Sequence, residues 1–345
     1  MNYAMAYAQK GESAVAKWNG DKDLEILSFK AEPYPKMNDK KSFLENLKKG
    51  DSIYTEAGSG NDKICLAAAK VGANIYRIPA DVLVNAGATP KMSRKERVCV
   101  ITRIAQDEPS KFYSMRIDDE NVTQLRILID AYEAIQRGIR IPVQLRLQGV
   151  YRDLDLIGHE AFKTKVREEF SPGQVFAQSM CFENAIVAEI KKILRMIPIY
   201  KKLFENIYGV GPLIAARFIA RIADIRRFST KGKLKAYAGY HVDVNGQCPK
   251  RKKGEFASWC PGLKQACFLW IDQVNRHKPE DDPWKAMLVA RKVYERKKFP
   301  EPIKENGKIL YSDAHIQTKA YRYTIQKFLE WLWREWRQFE GLQGN

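Results

Sequence analysis

The N-terminal third of the chain alternates short apolar segments of strand length with segments of helical periodicity. Strands are predicted over residues 3–8, 13–18, 24–29, 52–56 and 74–79. Apolar residues spaced as on one helix face predict helices over 41–48, around Ile64–Ala68, and over 94–106. Leading strands joined by tight turns, followed by a strand–helix–strand crossover, indicate an α/β domain, to which we assign residues 1–115.

Long amphipathic helices replace the strands from about residue 119. Their apolar stripes run along Leu125, Leu128, Tyr132, Ile135 and Ile139, and along Ile186, Ile190, Ile193 and Ile197. Steps of three and four residues follow one face of a helix. With a turn predicted at 168–173, the stripes predict an antiparallel helical hairpin, or a coiled coil between copies, over 116–200. A plain helical bundle is the alternative.

Residues 201–345 form the third predicted domain, which is mostly helical. Helices are expected over 283–297 and 313–339, with a loop at 300–307. The last helix has one apolar side, and Trp331 and Trp333 lie off that side. Packing on the preceding helix is their expected role, and stacking on nucleic-acid bases is the alternative.

A glycine turn within residues 203–239 predicts a helix-hairpin-helix. Gly209-Val210-Gly211-Pro212 precedes a helix of small and apolar residues, and a basic stretch follows. The N–H groups of such a turn and the positive end of the helix dipole suit a phosphate oxygen. Several cations are expected to extend this contact along a backbone: Arg221, Arg226, Arg227, Lys231, Lys233 and Lys235, together with Lys250, Arg251, Lys252 and Lys253 of the basic loop. An ordinary helical hairpin, with a solvated basic loop, is the alternative.

The charge of the chain favours a nucleic-acid partner. Fifty-nine Lys and Arg residues against 41 Asp and Glu residues give a formal net charge of +18, the electrostatic footprint of a protein that binds a polyanion. No apolar run approaches the ~20 residues that span a bilayer, so we expect no membrane partner. The N-terminus lacks the order of a signal peptide, so we expect a cytoplasmic protein.

The six cysteines are scattered and form no CxxC motif, so we interpret them as reduced thiols. A zinc site built from His241, Cys248, Cys260 and Cys267 is an alternative, although the spacing fits no common zinc finger.

The order of these segments resembles one family over the whole chain. The specific match is GxGPxxAA…IxDIxRF…LxAYAG, which here comprises Gly209 to Pro212, Ala215-Ala216, Ile222, Asp224-Ile225, Arg227-Phe228, Leu234 and Ala236 to Gly239. It is similar to the bridge-RNA-guided DEDD transposases of insertion sequences and to their relatives, the Tas proteins of tandem interspaced guide RNA systems. Some Tas proteins (the TasR type) couple a Nop-like RNA-binding module to a RuvC nuclease, and others lack a nuclease.

The resemblance implies the fold and the partners. It implies an α/β RuvC-like (ribonuclease-H-like) domain, an all-α helical hairpin or coiled coil, and a Nop-like C-terminal domain that contains the helix-hairpin-helix. The implied partners are a guide RNA, a target DNA and a second copy of the chain in a homodimer. The implied source is prokaryotic or phage-encoded, with the protein associated with the nucleoid.

The first feature that distinguishes the transposases from the Tas proteins is a nucleophilic serine. The transposases carry a serine shortly beyond the AYAG motif, and it attacks DNA. Here residues 240–249 contain no serine, and Gln247 cannot form a covalent DNA intermediate. Cys248 is no known substitute in the family, and Ser258 is the one serine nearby. This stretch argues against recombination.

The second distinguishing feature is a set of carboxylates. RuvC-like nucleases need them to hold two Mg²⁺ ions, which activate water and stabilise the leaving oxygen. Glu56, at the end of its predicted strand, matches the second acid of the family. In the K-x-D-x-x-D pattern Glu96 keeps one acid and Ser93 loses the other. We expect Glu56 and Glu96 to be metal ligands, although each alone would read as a surface glutamate.

The first strand distinguishes them third. The family has an aspartate near its middle, and here the register places Ala6 at that position. Because the rest of the hairpin is intact, a deliberate Asp-to-Ala substitution is favoured, with natural loss as the alternative.

The hypothesis that follows is an RNA-guided, Mg²⁺-dependent RuvC-like DNA endonuclease of the TasR type, catalytically impaired at Ala6. One alternative is a bridge-RNA-guided transposase or recombinase, which a reactive serine elsewhere would support. The other is a catalytically inactive guide-RNA-binding module.

Overall fold

The computed structural model describes residues 1–6, 11–19, 25–31, 47–57, 61–89, 92–115, 119–157, 171–242, 249, 259–277, 281–305 and 308–342. It divides into two compact units. The first comprises Met1–Thr123 together with Asp224–Ser229, and the second comprises Gln124–Ala223 together with Thr230–Asn345. The helices predicted for 116–200 therefore belong largely to the same unit as the C-terminal region, and the predicted three-domain boundaries stay a prediction.

The first unit contains a six-stranded mixed sheet in the order β3-β2-β1-β4-β5-β6. The strands are β1 (Asn2–Ala6), β2 (Gly11–Trp18), β3 (Glu25–Ala31), β4 (Ser52–Glu56), β5 (Asn74–Ile78) and β6 (Tyr113–Ser114). β1, β4 and β5 are parallel to one another, and the other neighbours are antiparallel. The order β3-β2-β1-β4-β5 is compatible with a ribonuclease-H-like domain. The helices of this unit are α1 (Asp62–Lys70), α2 (Ala80–Asn85) and α3 (Arg94–Asp107), with a 3₁₀ turn at Pro109–Lys111.

Alternation along the strands divides the core of the first unit between two faces of the sheet. On one face Ala4, Ala6 and Ile78 pack with Val98 and Ile101 of α3. On the other face Met5 and Ile53 pack with Cys65 and Ala68 of α1. Ala6 therefore lies on the α3 face, and it is 3% exposed.

The second unit is helical. Its long helices are α4 (Asp119–Ile135, which begins in the first unit), α5 (Ile141–Ile157) and α6 (Ser171–Met196), followed by the short α7 (Pro198–Lys202) and a 3₁₀ turn at Phe204–Asn206. Next come α8 (Pro212–Ile222) and α9 (Lys231–Tyr237). The last helices are α10 (Pro261–His277), α11 (Pro283–Lys298) and α12 (Asp313–Phe339).

A π-helical segment, Gln136–Arg140, joins α4 to α5 without a break. Its position follows from Pro142, which has no N–H to donate and crowds the preceding turn. The Ile141 N–H instead bonds the carbonyl of Gln136, five residues earlier, which is the spacing of a π-helix. The sequence analysis placed one helical stripe here and missed this irregularity.

The predicted stripes pack mostly inside the second unit. Leu125, Tyr132, Ile190, Ile193 and Ile197 are buried. Ile139, at the end of the first stripe, is 44% exposed. Apolar surface for a second copy of the chain is therefore smaller than the stripes suggested.

Aromatic rings form the centre of the second unit. Trp270 stacks on Phe328 with ring centroids 3.9 Å apart, and Trp331 lies 5.7 Å from both Phe328 and Trp284. Trp333 is buried. Packing, the expected role of Trp331 and Trp333, is what the structure shows, and it leaves Trp333 no face for a base.

Several local predictions need correction. Residues 171–173, expected in a turn, start α6, because Pro172 fits the first turn of a helix, where its N–H has no partner to lose. The loop expected at 300–307 contains β7 (Ile303–Glu305), which pairs antiparallel with β8 (Lys308–Leu310) directly after it. Most of the helix expected over 41–48 lies outside the described residues, and residues 47 and 48 are not helical.

Candidate nucleic-acid interface and carboxylate edge

The glycine turn before α8 has the backbone form that the sequence predicted. Gly209 has φ of +80°, a conformation that favours glycine. Gly211 is the N-cap of α8, and Pro212 takes the first helical position. The element before the turn is a 3₁₀ turn at Phe204–Asn206, shorter than the first helix of a regular helix-hairpin-helix.

Backbone donors at this turn have no acceptor among the described residues. The Ile214 and Ala215 N–H groups both bond the Gly211 carbonyl at 3.0 Å, and no side chain caps the helix. The N–H groups of Gly211 and Leu213 have no such bond in the described part of the chain. Gly211 is exposed, and a methyl group there would meet no atom of the described residues within 4 Å, so the backbone at Gly211 has free space beside it. Open donors at a helix N-terminus can bind an anion.

A largely buried cluster of ion pairs joins α8 to α4. Arg217 lies 3.2 Å from Glu133, and Arg221 lies 2.8 Å from Asp130 and 3.3 Å from Glu133. Burial opposes the charge of Arg221, but Asp130 and Glu133 outweigh it and raise its pKa above the usual value. A glycine at position 262 leaves room for this cluster, because a methyl group there would lie 2.5 Å from the Arg221 Nε. Arg221 therefore acts inside the unit and not on a ligand.

The predicted cations fall into different environments. Lys231, at the start of α9, is exposed, and Lys233 is half-buried beside the Thr230 cap. Arg226 is different, because its guanidinium makes a short pair with Asp224 at 2.7 Å and lies over the ring of Tyr113. Arg227 lies over the ring of Phe228. Of these, Lys231 presents its charge most directly to a nucleic acid.

Arg226 and Arg227 belong to the segment Asp224–Ser229, which folds with the first unit. Asp224 caps the 3₁₀ turn Ile225–Arg227 by accepting from the Arg226 N–H. Tyr113 is half-buried with its hydroxyl enclosed, and burial followed by the Asp224 charge raises its pKa far above its usual value. Asp224 thus orients Arg226, a role that the DIxRF motif did not reveal.

Several predicted site residues lie outside the described part of the chain. These are Lys250, Arg251, Lys252 and Lys253, together with Cys248 and Ser258. Cys248 is one of the four candidates of the zinc alternative, so that set cannot be compared as a whole with the described residues. Among the described residues no group of three His, Cys, Asp or Glu side chains is arranged to hold a metal ion. Burial raises the pKa of the Cys267 thiol, which keeps it protonated.

Ala6 and Glu56 lie at adjacent strand ends in the first unit. Met5 pairs with Thr55 in the parallel register of β1 and β4, so the next position along places Ala6 beside Glu56. Both belong to the α3 face of the sheet, because Ala4 and Tyr54, two residues earlier on each strand, pack there. Ala6 closes the described part of β1, where the sequence analysis had placed it near the middle.

Arg97 of α3 holds the Glu56 carboxylate. Its Nη1 donates to Glu56 Oε2 at 2.6 Å, and its Nη2 donates to the Thr89 carbonyl at 3.0 Å. The side chains of Arg97 and Glu56 are 15% and 24% exposed, so the pair is largely enclosed. The sequence analysis missed Arg97, because in RKERVC it reads as one cation of a solvated helix face.

Glu96 is bonded by the N-terminus of its own helix. Ser93 is the N-cap of α3 and donates to Glu96 Oε2 from its N–H at 2.7 Å and from its hydroxyl at 2.8 Å. In return the Ser93 hydroxyl accepts from the Glu96 N–H, which completes a capping box. The hydrogen bond from the Ser93 side chain makes the larger contribution to lowering the pKa of Glu96, and the bond from the Ser93 backbone lowers it further.

The carboxylate edge does not fit a divalent ion as it is folded. Mg²⁺ needs oxygen ligands in near-octahedral geometry. Ala6 offers none, one oxygen of Glu56 accepts from Arg97, and one oxygen of Glu96 accepts twice from Ser93. The roles of Ala6, Glu56 and Glu96 in binding Mg²⁺ stay a prediction.

The comparisons with known proteins agree with the C-terminal motif. No described helix has both the length and the apolar content needed to cross a membrane. A search of curated proteins finds no match. Residues 201–279 match the model of the Transposase IS116/IS110/IS902 family, a span that contains the glycine turn and helices α8, α9 and α10. The match supports a relation between this chain and the insertion-sequence transposases.

Proposed function

We propose that this chain is a guide-RNA-binding and DNA-binding protein of the insertion-sequence transposase type. The observation that carries the proposal is the family match over residues 201–279, which contains the turn with open backbone donors. Transposases act on DNA strands, and the match favours the bridge-RNA transposase alternative over the RNA-guided endonuclease hypothesis. A Nop-like or TasR-type assignment is a finer proposal that rests on the sequence resemblance alone.

The chemistry of the second unit supports binding to a phosphate backbone. The N–H groups of Gly211 and Leu213 would donate to a phosphate oxygen, with the positive end of the α8 dipole behind them. Lys231 would contact a neighbouring phosphate. The net charge of +18 supplies the long-range attraction. In this proposal base pairing by the guide selects the sequence, while the protein binds backbone and shape.

A second candidate function is a guide-RNA-binding module without strand cleavage. Two observations favour it. Ala6 removes one acid, and Arg97 holds another at 2.6 Å. In addition, residues 240–249 contain no serine for a nucleophilic attack. If the nuclease reading holds instead, Glu56, Glu96 and an acid at position 6 would be the ligands of Mg²⁺.

Copurifying nucleic acid tests the binding proposal. The protein is purified at low salt, the bound nucleic acid is digested separately with RNase and DNase, and the protected species is sequenced. We expect one structured RNA species, whose affinity falls linearly with salt on a log–log scale. Replacing Lys250, Arg251, Lys252 and Lys253 together by Ala should lower affinity and reduce that slope by about one unit per lost phosphate contact. Protein that retains neither RNA nor DNA at low salt would contradict the proposal.

A strand assay separates the candidate functions. The RNA-bound protein and its Ala6→Asp variant are incubated with guide-matched and mismatched DNA, and the products are resolved on a sequencing gel. Joined strands identify a transposase, and cut but unjoined strands identify an endonuclease. Matched DNA that is bound and left intact by both proteins identifies the binding module. DNA cut equally at matched and mismatched sites would contradict guidance by RNA.

A further inference from the structure

The Arg97–Glu56 pair is more constrained than an ordinary surface ion pair. The Arg97 guanidinium is fixed at two points, by Glu56 Oε2 and by the Thr89 carbonyl. The strand end that carries Glu56 is fixed as well. The Asn61 side chain donates to the Glu56 carbonyl at 2.9 Å and to the Thr55 hydroxyl at 3.0 Å. An exposed pair between two long side chains would lack this support.

Charge at the ends of β1 and β4 is balanced without a metal ion. Glu56 brings one negative charge, Arg97 brings one positive charge, and the Ala6 methyl group brings none. A divalent ion would have to displace the guanidinium and would then find a single carboxylate on these two strand ends. Mg²⁺ is bound through carboxylates that the protein leaves open, and here the carboxylate is already bonded.

We propose that Arg97 is a built-in cation that takes the place of a divalent ion at the carboxylate edge. It keeps Glu56 in position and allows the first unit to fold without Mg²⁺. Metal affinity is greatest when Arg97 is removed and position 6 carries a carboxylate. This inference concerns the first unit alone and does not depend on RNA binding by the second.

The test is a titration of the full chain with Mn²⁺, a probe for Mg²⁺ sites that calorimetry and water-proton relaxation both detect. The proteins are the wild type, Ala6→Asp, Arg97→Gln and the double variant Ala6→Asp/Arg97→Gln. Arg103 offers a matched control on the same helix, because its Nη2 bonds the Ala86 carbonyl at 2.7 Å and pairs with no carboxylate of the described residues. The control protein is Ala6→Asp/Arg103→Gln.

We expect the double variant to bind Mn²⁺ about 10- to 100-fold more tightly than Ala6→Asp, the range by which partners of metal ligands change affinity. The control should bind like Ala6→Asp, and the wild type should show no stoichiometric binding. Mg²⁺ should raise the melting temperature of the double variant and leave that of the wild type unchanged. Stoichiometric Mn²⁺ binding by the wild type, or equal affinities for the double variant and the control, would overturn the proposal.

Thermal unfolding of the wild type keeps the inference testable if Arg97→Gln does not fold. The wild type should melt at the same temperature in Mg²⁺ and in EDTA, because Arg97 already neutralises Glu56. A wild type stabilised by Mg²⁺ would overturn the proposal without any variant.

Discussion

The carboxylate edge of the first unit and the glycine turn of the second use their polar groups in opposite ways. At the edge, Glu56 and Glu96 are bonded by Arg97 and Ser93, groups of the protein itself. At the turn, the Gly211 and Leu213 N–H groups have no acceptor in the described part of the chain, and Gly211 itself is exposed.

This difference teaches that residue identity alone does not define a site. A glutamate at a strand end reads as a metal ligand until its partner is known. A glycine turn reads as an ordinary connection until its donors are counted. In this chain the open donors lie in the segment that matches the transposase family, and the acids that the nuclease hypothesis needs are engaged.

The largest expected effect on stability concerns Gly239. It lies just after α9, within the segment that matches the transposase family. Its φ is +73°, and a methyl group there would lie 2.7 Å from the Trp259 ring. Gly239→Ala should destabilise the second unit by about 2 to 3 kcal/mol, from backbone strain together with displacement of the ring. Chemical denaturation followed by tryptophan fluorescence measures this change.

Gly341 provides the matched control, because its φ is +72° and a methyl group there meets nothing within 4 Å. Gly341→Ala should cost only the strain, about 1 kcal/mol. Equal losses of unfolding free energy for Gly239→Ala and Gly341→Ala would show that the close approach of Gly239 to Trp259 does not contribute to stability.

The next effect concerns Ser93, which keeps the Glu96 carboxylate at the helix terminus. Ser93→Ala should destabilise the first unit by about 1 kcal/mol, because the α3 N-terminus loses its cap. Ser312 caps α12 without a reciprocal carboxylate and offers the comparison. Thermal unfolding should show the larger loss for Ser93→Ala, and a larger loss for Ser312→Ala would argue against a capping role for Glu96.

Glu295 is the counterpart of Glu56 in the second unit, an acid enclosed by cations. Burial opposes its ionisation, but Lys319 at 3.1 Å and Arg291 at 2.5 Å outweigh burial and lower its pKa. Its contribution to stability is therefore complete above the ordinary glutamate pKa and is lost as pH falls through the lowered value. Denaturation midpoints between about pH 6 and pH 3 should fall less steeply for Glu295→Gln than for the wild type. Midpoints that fall in parallel for Glu295→Gln and the wild type would contradict the assignment.

The smallest expected effect on the fold comes from two exposed apolar residues of the second unit, which we propose here as part of a homodimer surface. Leu145 and Phe182 are 62% and 64% exposed on α5 and α6, so polar substitutions there cost the unit little. Light scattering should give two chains for the RNA-bound wild type and a single 39.7 kDa chain for Leu145→Glu/Phe182→Glu. An unchanged mass would remove this surface from the interface.

Local patterns predicted most of the elements. β4 (Ser52–Glu56) and α12 (Asp313–Phe339) have the predicted bounds, because each shows clear periodicity between turn or capping residues. The strands β7 and β8 were missed, because their three-residue runs are too short to show alternation. The glycine turn was predicted because its chemistry lies in consecutive residues.

Contacts between residues far apart in the chain could not be predicted from the sequence. Arg97 and Glu56 lie 41 residues apart, and Arg217 and Glu133 lie 84 residues apart. Their pairing depends on how α3 crosses the sheet and how α8 packs on α4, which no local pattern encodes.

Binding of the copurified RNA by Gly211→Val tests the central claim most directly. Gly211 has φ of −66° and open space around it, so the fold should accept a valine, while its side chain would block a phosphate from the Gly211 and Leu213 N–H groups. Fluorescence anisotropy should show RNA affinity reduced by about tenfold or more, the worth of one or two charge-assisted hydrogen bonds, with an unchanged melting temperature. Wild-type RNA affinity in a folded Gly211→Val protein would contradict the claim that the glycine turn is the nucleic-acid interface.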